Sequence, residues 1–243
     1  MKRTPLTLAR PFAAVAFLAV AAACSDDAAT EPALSTVHPM GSVHEDEALV
    51  EGATYVANLH PLNARVQNAL DPDPRTPRGV ARGKAYFRVV GGELQAIVNV
   101  SGAEPADGEA FPEGLHAQHI HAADRCPPMS ADANGDGIVD VIEGVPFYGP
   151  ILVPLDGEIG NTTSEIPSFP IAMGPFGRYE YEAAAPLATL IDAIGEPLDL
   201  ANRHVVIHGV DLNTPLPATV QTLGGLPPQI TLPVACGELR RAG

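Results

Sequence analysis

Three of the eight histidines in this sequence fall within six residues, in Gly114-Leu115-His116-Ala117-Gln118-His119-Ile120-His121. His119 and His121 are two apart, so in an extended strand both imidazoles leave the same face of a sheet, a few ångströms from one another. Two imidazoles so placed are the start of a metal site. A third must come from elsewhere, and the best donor is His208 in Val205-Val206-Ile207-His208-Gly209. His204 lies four residues before His208 and shares its strand face, which makes it a candidate extra ligand. The competing reading of these rings is packing and hydrogen bonding inside a β domain.

A second constellation follows at once. Asp132, Asn134, Asp136, Ile138, Asp140 and Glu143 occupy positions 1, 3, 5, 7, 9 and 12 of a twelve-residue loop with Gly137 at position 6. Calcium takes hard oxygen donors at alternate positions, a backbone carbonyl at position 7, a glycine at the sharp turn and a final bidentate glutamate. Cys126-Pro127-Pro128 before the loop and Gly144-Val145-Pro146 after it oppose flanking helices. The expectation is therefore an isolated structural calcium loop at 132–143 in a β protein, set against an acidic surface turn that holds no ion.

The elements that must position these residues are short and many. The chain has 23 glycines and 25 prolines in 243 residues and no tryptophan, which favours short strands and turns over long helices. Its length suits one large β domain or two small ones. Strands are predicted at 54–59, at 84–90 and 93–100 as a hairpin about Gly91-Gly92, at 115–121, 151–155, 178–183, 203–209 and 229–237. In the hairpin Leu94, Ala96, Val98 and Val100 share one face while Glu93, Gln95 and Asn99 point the other way. Loops fill 70–79 and 101–113. Leu187 to Ile194 is the one short helix predicted, with Gly195 just past its end.

Ahead of this domain, residues 1–24 read as a secretory leader. Lys2, Arg3 and Arg10 precede an apolar run of about a dozen residues, too short to span a bilayer comfortably. The run ends Ala21-Ala22-Ala23-Cys24, similar to a bacterial lipobox with alanine in place of the usual leucine. Cys24 is thus the expected lipidation site, against an ordinary cleavage site with an incidental cysteine. Residues 25–47 are polar and read as a disordered tether, with His38 and His44 solvated. The folded domain is expected over 48–243.

The formal charge is −15, and loss of Lys2, Arg3 and Arg10 with the leader takes it to about −18. Such a body repels phosphate backbones, which excludes nucleic acid as a partner, and it repels anionic substrates at long range. With Cys24 given to a lipid, Cys126 and Cys236 remain. An exported chain meets an oxidising compartment, so a disulfide between them is the natural reading, against two free thiols. His60 reads as a hydrogen-bonding turn residue. Arg125 and Arg203 read as exposed residues, or as a source of positive charge near the histidines. No nucleophilic triad and no phosphate loop stands out, so no organic cofactor is predicted.

Taken in order, these pieces resemble the copper/zinc superoxide dismutase-like superfamily. Phe87 to Val100 followed by Leu115-His116-x-x-His119-Ile120-His121 resembles that family's strand pair and histidine strand. Val205-Val206-Ile207-His208 resembles its later Val-Val-His strand, and Ala235-Cys236-Gly237 its terminal cysteine, which is disulfide-bonded in the family. The chain is also similar to the small exported domains named after chordin repeats.

The resemblance spans about residues 50–240. It implies an all-β, Greek-key barrel or sandwich of about eight strands with long loops and at most one short helix. It also implies copper on His119, His121 and His208, with His116 structural. The pattern departs from the family in two places. No histidine occurs between 122 and 203, so the bridging and zinc histidines have no counterpart, and Pro233 stands where the family has its substrate-guiding arginine.

Two functions follow as expectations. One is an exported, lipid-anchored envelope protein doing copper redox chemistry on superoxide or a related small molecule. The other is a non-catalytic envelope domain that binds calcium and copper or zinc, or is purely structural. No protein partner is specified.

Overall fold

The computed structural model describes residues 49–67, 69, 79–104 and 114–243. The leader, Cys24, the tether, His38, His44 and most of the two loops predicted at 70–79 and 101–113 lie outside them.

Eight strands form one curled antiparallel sheet, in the order β5-β4-β7-β8-β1-β2-β3-β6. They are β1 (Thr54–Pro61), β2 (Arg82–Val90), β3 (Glu93–Ser101), β4 (Gln118–His121), β5 (Ile151–Pro154), β6 (Tyr179–Pro186), β7 (His204–His208) and β8 (Pro233–Arg241). Period-two alternation builds the core. Ala85, Phe87 and Val89 of β2 and Leu94, Ala96, Val98 and Val100 of β3 are buried together, as the alternation predicts. Gly91 and Gly92 both take positive φ (61° and 76°) between the paired Val90 and Glu93. Two left-handed residues in a two-residue loop suit the twist of the strands they join.

Helical content exceeds the single short helix expected. Among the described residues there are three α-helices: α1 (Val141–Tyr148), α2 (Leu187–Ile194) and α3 (Pro228–Thr231). α2 ends at Gly195 in the left-handed conformation, as its sequence indicates. α1 is the correction. Asp140 caps it by accepting from the N–H groups of Ile142 and Glu143, and Glu143 reaches back to the Asp140 N–H. This capping box satisfies orphan donors at the first turn and outweighs the unfavourable Pro146 one turn later. Gly144 contributes directly, because a Cβ there would overlap the Tyr148 ring.

Three smaller differences concern strand ends. The last strand starts at Pro233 rather than 229, because Pro227 and Pro228 open α3. Only 118–121 of the predicted histidine strand is a strand, Leu115 making an isolated bridge to Ile171. His60 lies within β1, exposed and opposite Cys236, and is not a turn residue.

No helix among the described residues is long and apolar enough to cross a membrane.

Candidate metal centre

β4 lies between β5 and β7, and its residues divide between two faces of the sheet. Ile120 enters the main core with Val205 and Ile207 of β7. His119 and His121 leave the opposite face, where Val206, Cys236, Val141 and Tyr148 form a second, smaller apolar cluster. α1 and the segments 164–169 and 223–231 cover that face.

The register places His119 opposite Val206, His121 opposite His204, and the His208 N–H 2.7 Å from the Ala117 carbonyl. The pairing of β7 with β8 shifts between Ile207 and His208. The result brings together His119, His121 and His208. One ring nitrogen from each lies within 4.8 Å of the other two, and the three residues are only 3–5% exposed. His204 shares the face, as its spacing predicts, and stacks on His121 at 5.8 Å between centroids. Its nitrogens do not join the convergent set.

The hydrogen bonds show which nitrogens are committed. His121 Nδ1 lies 3.0 Å from the Gly149 carbonyl, and His208 Nδ1 lies 2.8 Å from that of Thr231. A carbonyl only accepts, so each Nδ1 carries the proton and each Nε2 keeps its lone pair. His119 Nε2 lies 3.4 Å from Ser164 Oγ. What remains on this face is His119 Nδ1, His121 Nε2 and His208 Nε2, together with both nitrogens of His204, all buried and all without a hydrogen-bond partner; convergence is what separates the first three residues from His204. A buried polar atom left unpaired costs about 1–3 kcal/mol, and three from one cluster call for a common occupant.

A metal ion fits that requirement. Metal–imidazole bonds are about 2.0–2.1 Å, so movements of about 1 Å or less per ring would complete the coordination. Backbone carbonyls that hold the far nitrogen are the usual support for ligating histidines.

Electrostatics favour the same state. Burial lowers the pKa of His119 and His121 well below 6.5, and repulsion from His208 whenever that ring is protonated lowers them further. Burial brings His208 down to about 4. All three are neutral at pH 7 and offer lone pairs. His116 is not a ligand candidate. Its nitrogens lie 3.1 Å from the His208 carbonyl and 2.9 Å from that of Glu104, so it braces the end of β7 from the core side.

Apolar groups frame the triad. Phe169 meets His119 edge-on at 5.2 Å, and Tyr148 lies 4.7 Å from His121 with its hydroxyl donating to Val141 O. Neither arginine that the sequence offers supplies charge here. Arg203 is mostly buried, with donors spent on the Leu198 and Ala122 carbonyls and on Glu196. Arg125 lies over Phe147 at 5.0 Å.

Cys126 and Cys236 are disulfide-bonded, with Cα atoms 5.8 Å apart. The bridge lies on the histidine side of the sheet and ties the approach to the acidic loop onto β8.

That loop is folded on itself. Asp132 Oδ1 and Oδ2 accept from the N–H groups of Gly135, Asp136 and Gly137, and Asp136 Oδ1 from Ile138. Glu143 Oε1 accepts from Ala133 and Asn134. Among the described residues, the histidine triad is the group whose ligand atoms converge, and the loop carboxylates form no such group. The loop is also braced to its surroundings: Thr219 Oγ1 donates to Asp136 at 2.6 Å and the Gln221 N–H to Asp140 at 2.7 Å.

Sequence reasoning did not single out Asn63, at φ 51°. Its amide donates to Val139 O and Pro233 O and accepts from the Val139 N–H, at 2.8–2.9 Å. It joins the acidic loop to the start of β8. Asparagine tolerates the left-handed region, but partners 76 and 170 residues away leave no local signal.

No protein-family model matches the sequence, and no curated protein sequence matches it.

Proposed function

We propose that this protein is an exported domain that holds one transition-metal ion through His119 Nδ1, His121 Nε2 and His208 Nε2, for binding or buffering rather than turnover. The observation that carries this reading is the set of three buried, neutral histidines on two adjacent strands, each with one ring nitrogen converging on the others and each with one ring nitrogen left without a partner. Three imidazoles suit copper or zinc. The resemblance to the superoxide dismutase-like superfamily supports copper and a Greek-key barrel. Against dismutation stand the absent bridging histidine and guiding arginine, and the negative charge of the body, which disfavours capture of an anion. His204 would act as packing for His121.

On the same reading the leader exports the chain, Cys24 anchors it to a membrane of the cell envelope, and the tether over 25–47 spaces the domain from the lipid. Calcium on Asp132, Asn134, Asp136, Ile138, Asp140 and Glu143 would replace the loop's internal amide contacts. Calcium there would reinforce α1, whose C-terminal Gly149 carbonyl orients His121.

The test is metal analysis of the purified domain after exposure to copper and to zinc, with a superoxide-disappearance assay on the copper-loaded protein. One ion per chain, lost in His119→Ala and in His208→Ala, is expected, with superoxide removal no faster than in His119→Ala. Fast removal that depends on His119 would favour the redox reading, and a chain that takes up neither metal refutes both.

A further inference from the structure

The triad is the floor of a cavity of about 430 Å³. Its walls are Val141 and Val145 of α1, Phe169, and Leu223, Leu226 and Ile230 from the segment leading into β8. No lysine or arginine lines it among the described residues. The polar side chains that line it are the three histidines, Tyr148, Ser164 and Thr231, and the three hydroxyls are already engaged: Tyr148 donates to Val141 O, Ser164 lies beside His119 Nε2, and Thr231 is hydrogen-bonded to Thr222. Three protein donors would leave a transition ion short of a full coordination shell, and the cavity that these histidines line is where a further donor could enter. Beyond the ion itself, small inorganic anions gain nothing from walls that carry no cation, in a chain of net charge −15. An apolar surface around one polar focus is what selects an organic molecule and fixes its orientation.

We propose that the cavity above the triad binds a neutral, mostly apolar organic molecule of one or two rings, which meets the metal ion with a single donor atom. The inference rests on the metal reading given above. The ion supplies the one directional contact, and Phe169, Leu226 and Ile230 supply the rest by excluding water from the ligand's body. Leu223, 46% exposed at the rim, is a surface that such a ligand would cover.

The experiment uses the domain loaded with Co(II), whose visible absorption reports a new ligand. Imidazole, 4-phenylimidazole and azide are titrated in parallel. The first two share a donor and differ by one apolar ring, while azide is a small anion. Binding of 4-phenylimidazole at least tenfold tighter than imidazole is expected, with azide the weakest. Ile166 also lines the cavity and is only half-buried, and the variants Ile166→Asn and Leu223→Asn should reduce that ratio to below threefold while the spectrum of the ligand-free cobalt protein stays unchanged. Equal affinities for imidazole and 4-phenylimidazole, or tighter azide binding, overturn the proposal and leave the metal reading standing. A chain that takes up no cobalt overturns the metal reading and this proposal with it.

Discussion

Acidifying the metal-free domain from pH 7.5 to 5.0 should cost it a large part of its stability. Burial lowers the pKa of both His204 and His208 from 6.5 to about 4. Between those values the unfolded chain binds protons that the native chain refuses. Stability is therefore complete above about pH 6.5 and falls as the pH drops toward 4. At pH 5.0 an unfolded histidine is almost fully charged and the native one is mostly neutral, a difference of about 2 kcal/mol per ring and about 4 kcal/mol for the pair. His119 and His121, held well below 6.5, add to this in the same direction. A small domain has only about 5–15 kcal/mol in total.

Urea unfolding followed by tyrosine fluorescence at pH 7.5, 6.5, 5.8 and 5.0 measures the effect directly. The midpoint should be flat above pH 6.5 and drop steeply below it. His204→Leu removes one titrating ring outside the triad and should reduce the pH dependence by about 2 kcal/mol. A midpoint unchanged between pH 7.5 and 5.0 would show that these rings are solvated, and the description of a dry, neutral cluster would fall.

Three further outcomes follow from the geometry. Reducing the bond between Cys126 and Cys236, which closes a 110-residue separation, should lower stability by up to about 4.7 kcal/mol by chain-entropy reasoning, read as a shift in the thermal midpoint with and without reductant. No shift would show that the bridge adds nothing. Asn63→Ala strips partners from the backbone of Val139 and Pro233 and should cost about 2–4 kcal/mol, more than an exposed asparagine would. A loss below about 0.5 kcal/mol would contradict the brace assigned to it. Adding calcium to chelator-treated protein should raise the thermal midpoint, and Asp132→Ala should abolish that rise. Indifference to both calcium and chelator would leave the loop as an acidic turn closed by its own amides.

What the sequence makes visible is what is local and periodic. The alternation of Leu94, Ala96, Val98 and Val100, the Gly91-Gly92 turn and the Gly195 stop of α2 each carry their own short-range cause. The spacing of His119 and His121 gives the shared face for the same reason.

α1 was hidden because Gly144 and Pro146 read as breakers. The signal for it was nevertheless present in Asp140-x-x-Glu143, a capping box whose two carboxylates also read as calcium positions. The sequence names His208 as the third donor, and the structure brings it to His119 and His121; the register shift after Ile207 has no signature in Val205-Val206-Ile207. The depth of the site depends on side chains from 141–151, 164–169 and 223–231 that meet only through the fold.

The most direct test of the central claim is X-ray absorption at the copper or zinc edge on the domain loaded with one equivalent of metal. Three imidazole nitrogens at about 2.0–2.1 Å are expected around the metal, reduced in number by His208→Ala and by His119→Ala and unaffected by His204→Leu. A shell of oxygen donors, or one that keeps its imidazoles when His208 is removed, would contradict that claim.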